Sequence, residues 1–242
     1  MSTDQIKLLS FLKLKTLVLT LLLMGLSTIS LSRSTFANVT PQTGDGTNNS
    51  VPGGTRSAGE GCFNEGQKPI TPLIPKTNKK LGLTLASHPT ILIYVQKNTA
   101  IAGEFILKDS SEQKVYEDIV SLPNSQGIIE IKIPTEESEL KVNETYSWTF
   151  TLICEASIPG IEAVVEGSIQ RVNPTENLRI KLLQAPESDH WLIYSEAGIW
   201  YETVVTLAEE IRSNPNSVKL NSEWKNLLNS VGLSEVVKDP SR

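Results

Sequence analysis

The feature that most constrains the fold is a change in the period of the apolar residues at Val172. Upstream of this point, from residue 70 onwards, apolar and polar side chains alternate in short runs that are typical of half-buried strands. Downstream, apolar residues recur at the three- and four-residue spacing of helices. We therefore predict an α+β chain in which an antiparallel β-sandwich over residues 62–172 is followed by a helical annex over residues 173–242.

Short runs separated by turn residues are predicted to form seven strands. The predicted strands are residues 81–86, 90–96, 101–108, 114–122, 128–133, 146–154 and 164–172. This number of short strands, with turns at this spacing, favours an immunoglobulin-like sandwich. A turn at residues 142–145 leads into Tyr146 and Trp148 and resembles the tyrosine corner of such domains. We therefore expect the Tyr146 hydroxyl to bond to main chain upstream of its strand.

Four helices are predicted after the strands. Asn173 as N-cap, with Pro174 at the first helical position, begins a helix that ends near Ala185. The other three are predicted over residues 187–196, 199–213 and 218–230. Similar residues recur 34 positions apart, as at Tyr194 and Leu228, and indicate about one and a half tetratricopeptide-like units. A degenerate helical hairpin packed on the sandwich is the alternative.

The first 37 residues have the parts of a secretory signal peptide. Three lysines precede an uncharged apolar run at residues 16–31, and Thr35 and Ala37 have the spacing of a signal-peptidase site. The run is shorter than the roughly 18–20 residues of a membrane-spanning helix. We expect cleavage after Ala37 and export to the periplasm or the outside of the cell, with a retained anchor as the alternative. Residues 38–61, rich in Gly, Thr and Asn, are predicted to be a flexible tether.

The charge of the exported part disfavours two classes of partner. Without residues 1–37 the chain has 18 Lys and Arg against 26 Asp and Glu, which gives a net charge of −8. Nucleic acid is not expected as a partner, because binding to phosphate backbones needs clustered Lys and Arg. Docking on anionic lipid is also disfavoured, because such surfaces attract polybasic segments. No later segment is long and apolar enough to span a bilayer, so we expect no stable membrane insertion after cleavage.

The sequence contains two cysteines, Cys62 and Cys154. In an exported protein an even number indicates a disulfide, which here would close a loop of about 93 residues. Two unrelated buried thiols are the alternative. We predict no metal site, because two Cys by themselves cannot make a four-ligand zinc site and histidines are scarce, with only His88 and His190 in the sequence. No cofactor is predicted either.

No residue pattern predicts catalysis. Ser188, Asp189 and His190 are neighbours on a predicted helix, so their side chains point in different directions and cannot relay a proton. The glutamates of residues 136–139 fall within a single turn, which cannot place two acids on opposite sides of a sugar. We therefore expect that the chain is not an enzyme.

Several segments together resemble one known family. They are the Pro-Gly-Gly-Thr-Arg of residues 52–56, residues 83–95, residues 146–154, residues 165–172, the Glu-Ala-Gly-Ile-Trp-Tyr of residues 196–201, and residues 227–233. With these segments the chain resembles the exported cyanobacterial proteins catalogued as domain of unknown function nine hundred and twenty-eight. Upstream of Gly53 it has Asn and Ser where a basic Gly/Arg run is expected. The family has no established activity, so the resemblance implies a location and a domain plan.

Trp200 and Tyr201 are the candidate binding residues. Adjacent residues on a helix cannot both face one core, so one of the two rings is expected to be exposed. Trp200 matches a repeat position that packs inward, which leaves Tyr201 as the outward contact. We expect a non-enzymatic module that binds an envelope protein through the annex. Carbohydrate binding by the sandwich through exposed aromatic rings is the alternative.

Overall fold

The computed structural model describes residues 62–63, 68–76, 80–154 and 163–236. Within these ranges, eight strands in two sheets are followed by four α-helices, which confirms the predicted α+β class. The predicted signal peptide and tether lie outside the described residues.

The strands include the seven predicted ones and a short one before them. They are β1 (Ile70–Pro72), β2 (Leu81–Thr84), β3 (Thr90–Val95), β4 (Ala102–Lys108), β5 (Lys114–Val120), β6 (Gly127–Lys132), β7 (Thr145–Ile153) and β8 (Val164–Arg171). β1 is missing from the prediction because three residues that include a Pro are too few to show an alternating pattern.

The strands pair into a three-stranded sheet of order β1–β3–β6 and a five-stranded sheet of order β2–β8–β7–β4–β5. β2 and β8 run parallel, whereas the other pairs between the described strands are antiparallel. The prediction of a purely antiparallel sandwich is therefore wrong at β2. No hairpin joins β2 to β8, so no tight turn forces an antiparallel pairing.

Side chains from both sheets form the core of the sandwich. Buried and half-buried residues alternate along β7, as expected for a strand with one face in the core. Its inward side chains, Tyr146, Trp148, Phe150 and Leu152, share a core with isoleucines of β3 and β6 from the opposite sheet. The two sheets therefore pack face to face.

Cys62 and Cys154 form the predicted disulfide, with their Cα atoms 5.6 Å apart. Cys154 directly follows β7, and Cys62 precedes β1. The bond therefore ties the start of the described chain to a central strand of the five-stranded sheet.

The helices agree closely with their predicted positions. They are α1 (Glu176–Gln184), α2 (His190–Glu196), α3 (Trp200–Ser213) and α4 (Val218–Ser230). Two short 3-10 helices, Glu187–Asp189 and Ser234–Val236, precede α2 and follow α4.

The predicted N-cap of α1 is wrong by two residues. Thr175, not Asn173, caps the helix, because its hydroxyl accepts a hydrogen bond from the main-chain N of Leu178 at 3.2 Å. The chain is still held beside β2 at Val172, whose main-chain N donates to the Thr84 carbonyl at 2.8 Å. The helix therefore begins only after this strand contact has ended.

Helices α3 and α4 cover the outer face of the three-stranded sheet. Leu92 and Tyr94 of β3 point away from the sandwich core and pack with Val204 and Leu207 of α3 and with Trp224 of α4. Every residue of β3 after Thr90 is buried, because both faces of this strand are covered. The helices thus form a third layer over the two sheets.

Tyr146 makes the predicted main-chain contact, accepting a hydrogen bond from the Lys141 main-chain N at 3.0 Å. We expect Tyr146→Phe to lower the free energy of unfolding by about 1 kcal/mol, because this N–H loses its acceptor. Tyr94→Phe is a matched control, since Tyr94 is also buried but its hydroxyl has no hydrogen-bond partner among the described residues. Urea denaturation of both variants measures the difference, and equal losses would contradict a specific role for the Tyr146 hydroxyl.

Candidate functional site

The two candidate binding residues begin helix α3, and both are buried. Trp200 is 3% exposed and Tyr201 is 2% exposed, so the prediction that Tyr201 points outward is wrong. Their rings do point apart, as adjacent helical residues must. However, Tyr201 enters the sandwich core while Trp200 enters the core between the helices and β3. The first turn of α3 therefore has a core on each side.

Tyr201 connects the helices to the five-stranded sheet. Its hydroxyl accepts a hydrogen bond from Trp148 Nε1 at 2.9 Å and donates one to the Ser168 carbonyl at 3.2 Å. Gly82 of β2 leaves space for the ring, because a Cβ at this position would lie 2.6 Å from Tyr201 Cε2. Burial raises the pKa of the Tyr201 hydroxyl far above its ordinary value, which keeps the hydroxyl neutral as a donor. Its contacts are structural and leave no surface for a partner.

The next residue, Glu202, places a shielded carboxyl group where α3 meets the end of β2. Its Oε1 accepts three hydrogen bonds, from Thr84 Oγ1 at 2.7 Å and from the main-chain N atoms of Leu85 at 2.8 Å and Ala86 at 3.0 Å. Its Oε2 is shielded from solvent and has no partner among the described residues. Desolvation raises the pKa of Glu202, and this effect outweighs the hydrogen bonds, which lower it.

In contrast to these buried groups, the outer face of the five-stranded sheet carries side chains that solvent can reach. The described helices pack against β3 and around β2, and the outward residues of β4, β5, β7 and β8 are half-buried or exposed. Residues paired across neighbouring strands project to the same face, so two rows of side chains lie side by side there. We call these rows the outer-face patch: Ile119, Glu104, Thr151 and Val164 in the first, and Glu117, Ile106, Thr149 and Glu166 in the second.

The outer-face patch combines exposed apolar ends with negative charge. Ile119 is 57% exposed and Val164 is 47% exposed. Glu117 and Glu166 form ion pairs with lysines, Lys114 and Lys80 respectively. Glu104, in the middle of the first row, forms no ion pair with any residue that the structure describes. A carboxylate without a partner therefore lies beside exposed apolar groups.

A comparison with protein-family models matches residues 51–241 to Domain of Unknown Function (DUF928). The chain belongs to this family. A search of curated proteins finds no match to it. The inferred membership of this domain family is thus confirmed, and every described residue falls within the matched range. The cyanobacterial source and the export stay predictions. The outer-face patch and the contact of Glu202 with the end of β2 are both parts of the DUF928 domain.

The histidines of the DUF928 domain are held by main-chain carbonyls. His88 Nε2 bonds to the Glu137 carbonyl at 3.0 Å, and His190 Nε2 bonds to the Leu182 carbonyl at 3.0 Å. In the part of the chain that the structure describes, no three His, Cys, Asp or Glu residues are grouped so that they could hold a metal ion. Among the helices described, none combines the length and the apolar content needed to cross a membrane.

Sequence reasoning missed Glu202 and the outer-face patch of the DUF928 domain. A Glu in the first turn of a helix is common because it complements the helix dipole, so Glu202 gives no unusual signal. The alternation of β4 and β7 does indicate which residues face outward, but not whether another layer covers them. That information comes only from the packing of α3 and α4 on the other sheet.

Proposed function

We propose that this chain is an exported, non-enzymatic module that binds a protein partner through the outer-face patch. The observation that carries this proposal is the contrast between the two sheets. The outer face of β3 is buried under helices, whereas Ile119 and Val164 are exposed at the two ends of one row. An uncovered sheet face with an exposed apolar side chain at each end of one row supports an interaction site there. Export is supported by the predicted signal peptide and by the disulfide, since such bonds persist in oxidising compartments.

The charge of the patch indicates the chemistry of the partner. Glu104 lies between Ile119 and Thr151 on the neighbouring strands. A partner that places a Lys or Arg against Glu104, with apolar side chains on either side, would complement both features. Opposite the first row of the patch, the complementary surface is therefore basic at its centre and apolar at both ends.

We also infer an immunoglobulin-like topology for the two sheets. The sheet of order β1–β3–β6 corresponds to strands A, B and E, and β8–β7–β4 corresponds to G, F and C. Tyr146 then lies at the start of strand F, where these domains carry their tyrosine corner. The disulfide departs from that pattern, because it joins β7 to Cys62 and not to the strand equivalent to B.

A tetratricopeptide-like origin of the helices is supported by two equivalent helix ends. Gly198 and Gly232, 34 residues apart, have φ values of 73° and 80°. The residue after each glycine donates its main-chain N–H to a carbonyl five residues upstream, as in Ile199 to Tyr194 at 2.9 Å and Leu233 to Leu228 at 2.8 Å. The same helix ending therefore occurs at the spacing of the repeat.

Carbohydrate binding through stacked aromatic rings is the alternative function, and it has less support. A sugar platform needs rings outside the core, but all four tryptophans are buried: Trp148, Trp191, Trp200 and Trp224. Of the five tyrosines, Tyr116 and Tyr194 are half-buried and the others are buried. Neither half-buried tyrosine belongs to the outer-face patch.

A photo-crosslinking amino acid at position 119 tests the proposed surface. In cells that produce the protein, we expect position 119 to give a defined adduct with another protein. Charge reversal by Glu104→Lys is expected to weaken that adduct at least roughly tenfold, because like charges would then meet. Leu183 on α1 is the matched control position, since it is 86% exposed and lies outside the patch.

Three outcomes would contradict the proposed surface. The first is the same adduct from positions 119 and 183, the second is no adduct at position 119, and the third is an adduct insensitive to Glu104→Lys. An adduct from position 183 alone would instead support binding through the helical annex.

A further inference from the structure

We propose that Glu202 acts as a proton-controlled latch, which holds α3 against the end of β2 while its carboxyl group is neutral and loosens this junction when the group ionises. The geometry is asymmetric. Oε1 accepts all three hydrogen bonds, from Thr84, Leu85 and Ala86, whereas Oε2 is shielded and has no partner among the described residues. Ionisation would spread negative charge over both oxygens, and Oε2 has neither a hydrogen-bond donor nor access to solvent to stabilise its share, so the shielded site favours the neutral group.

The groups that face Glu202 do not offset such a charge. From α2 the titratable neighbour is Tyr194, and on α3 it is Tyr201. Burial raises the pKa of both tyrosines, so both are neutral when Glu202 titrates. β2 contributes the uncharged Thr84 hydroxyl. No described Lys, Arg or His forms an ion pair with Glu202.

The position of the latch determines what it controls. Thr84 ends β2, the edge strand that pairs with β8, and Leu83 beside it packs against Leu178 of α1 and Ile199 before α3. The hydrogen bonds to Glu202 therefore connect the start of α3 to the strand around which α1 and α2 pack. Loosening them would release this edge of the sheet from the helical layer.

The direction of the pH effect follows from the raised pKa of Glu202. Between its ordinary value of 4.5 and the higher folded-state value, the folded protein binds more protons than the unfolded chain. Stability is therefore greatest below this window, falls as the pH rises through it, and is constant above it. For each unit by which folding raises the pKa of Glu202, the hydrogen-exchange protection factor of the Leu85 and Ala86 amides falls roughly tenfold across this pH window.

Two measurements on the purified protein test the latch. Carbon-13 NMR should show the Glu202 carboxyl titrating above 4.5, and hydrogen exchange should show the Leu85 and Ala86 amides losing protection over the same pH range. Glu202→Gln retains an acceptor oxygen but cannot ionise, so its amide protection should not change across that range. Glu209→Gln, an exposed position on the same helix, is the matched control and should behave as the wild type does.

Either measurement can overturn the proposal. The proposal is wrong if the carboxyl titration of Glu202 has its midpoint at or below pH 4.5. It is also wrong if the Glu202→Gln variant keeps the wild-type pH dependence of Leu85 and Ala86 amide protection. If Glu202→Gln does not fold, the carboxyl titration of the wild type decides alone.

Discussion

Tyr201→Ala is expected to lower the free energy of unfolding by about 3–5 kcal/mol, the range for removing a large buried aromatic side chain. The ring is 2% exposed and fills space in the sandwich core opposite Gly82. Its loss would create a cavity at the point where the helices join the sheet, and would leave Trp148 Nε1 without its acceptor. Urea denaturation followed by Trp fluorescence and by far-UV circular dichroism measures the effect.

Tyr201→Phe separates the ring from the hydroxyl. It retains the packing but removes the acceptor of Trp148 Nε1 and the donor to the Ser168 carbonyl, so we expect a loss of about 1–3 kcal/mol. An Ala variant as stable as the wild type would show that the ring is not in the core. Equal losses for Ala and Phe would show that packing contributes little.

Removal of the disulfide is expected to have the second large effect on the stability of the fold. Cys62→Ser combined with Cys154→Ser is expected to destabilise the protein by about 4–5 kcal/mol in the chain-entropy model, because the bond closes a long loop. The two cysteines are 92 positions apart, and the unfolded chain without the bond is much less restricted. Denaturation of the wild type with and without reductant should reproduce the difference between the wild type and the double variant.

Peptide mapping without reductant provides the chemical control for this prediction. We expect one linked pair of peptides that contains Cys62 and Cys154. Two free thiols in protein taken from an oxidising compartment would contradict the bond. An unchanged denaturation midpoint after complete reduction would contradict its contribution to stability.

The sequence predicted the positions of the strands and helices better than it predicted what packs against them. The alternation in β7 and the spacing in α3 and α4 are local patterns, and the structure has these elements close to where they were expected. The parallel pairing of β2 with β8 depends on strands far apart in the chain, and no local signal encodes it. Tyr201 illustrates the same limit, because its burial depends on Gly82 in a distant strand. Periodicity shows which residues share a face but not what covers that face.

The two sequence-based candidates for binding fail for this reason. Trp200 and Tyr201 point apart as the helix geometry requires, but each direction leads into a core. The outer-face patch became identifiable only when the strand register placed Ile119, Glu104 and Val164 in one row.

β5, at one end of the five-stranded sheet, is an edge strand that another copy of the protein could in principle extend. An edge strand is a template for a further strand, and therefore a starting point for aggregation. Here Asp118 pairs with Phe105 and so projects to the core side of the edge, and the register shifts between Leu107 and Lys108 as in a β-bulge. Inward charges and bulges both oppose the addition of another strand. The exposed apolar side chains of the neighbouring sheet face therefore lie beside an edge that disfavours pairing with a strand of another copy.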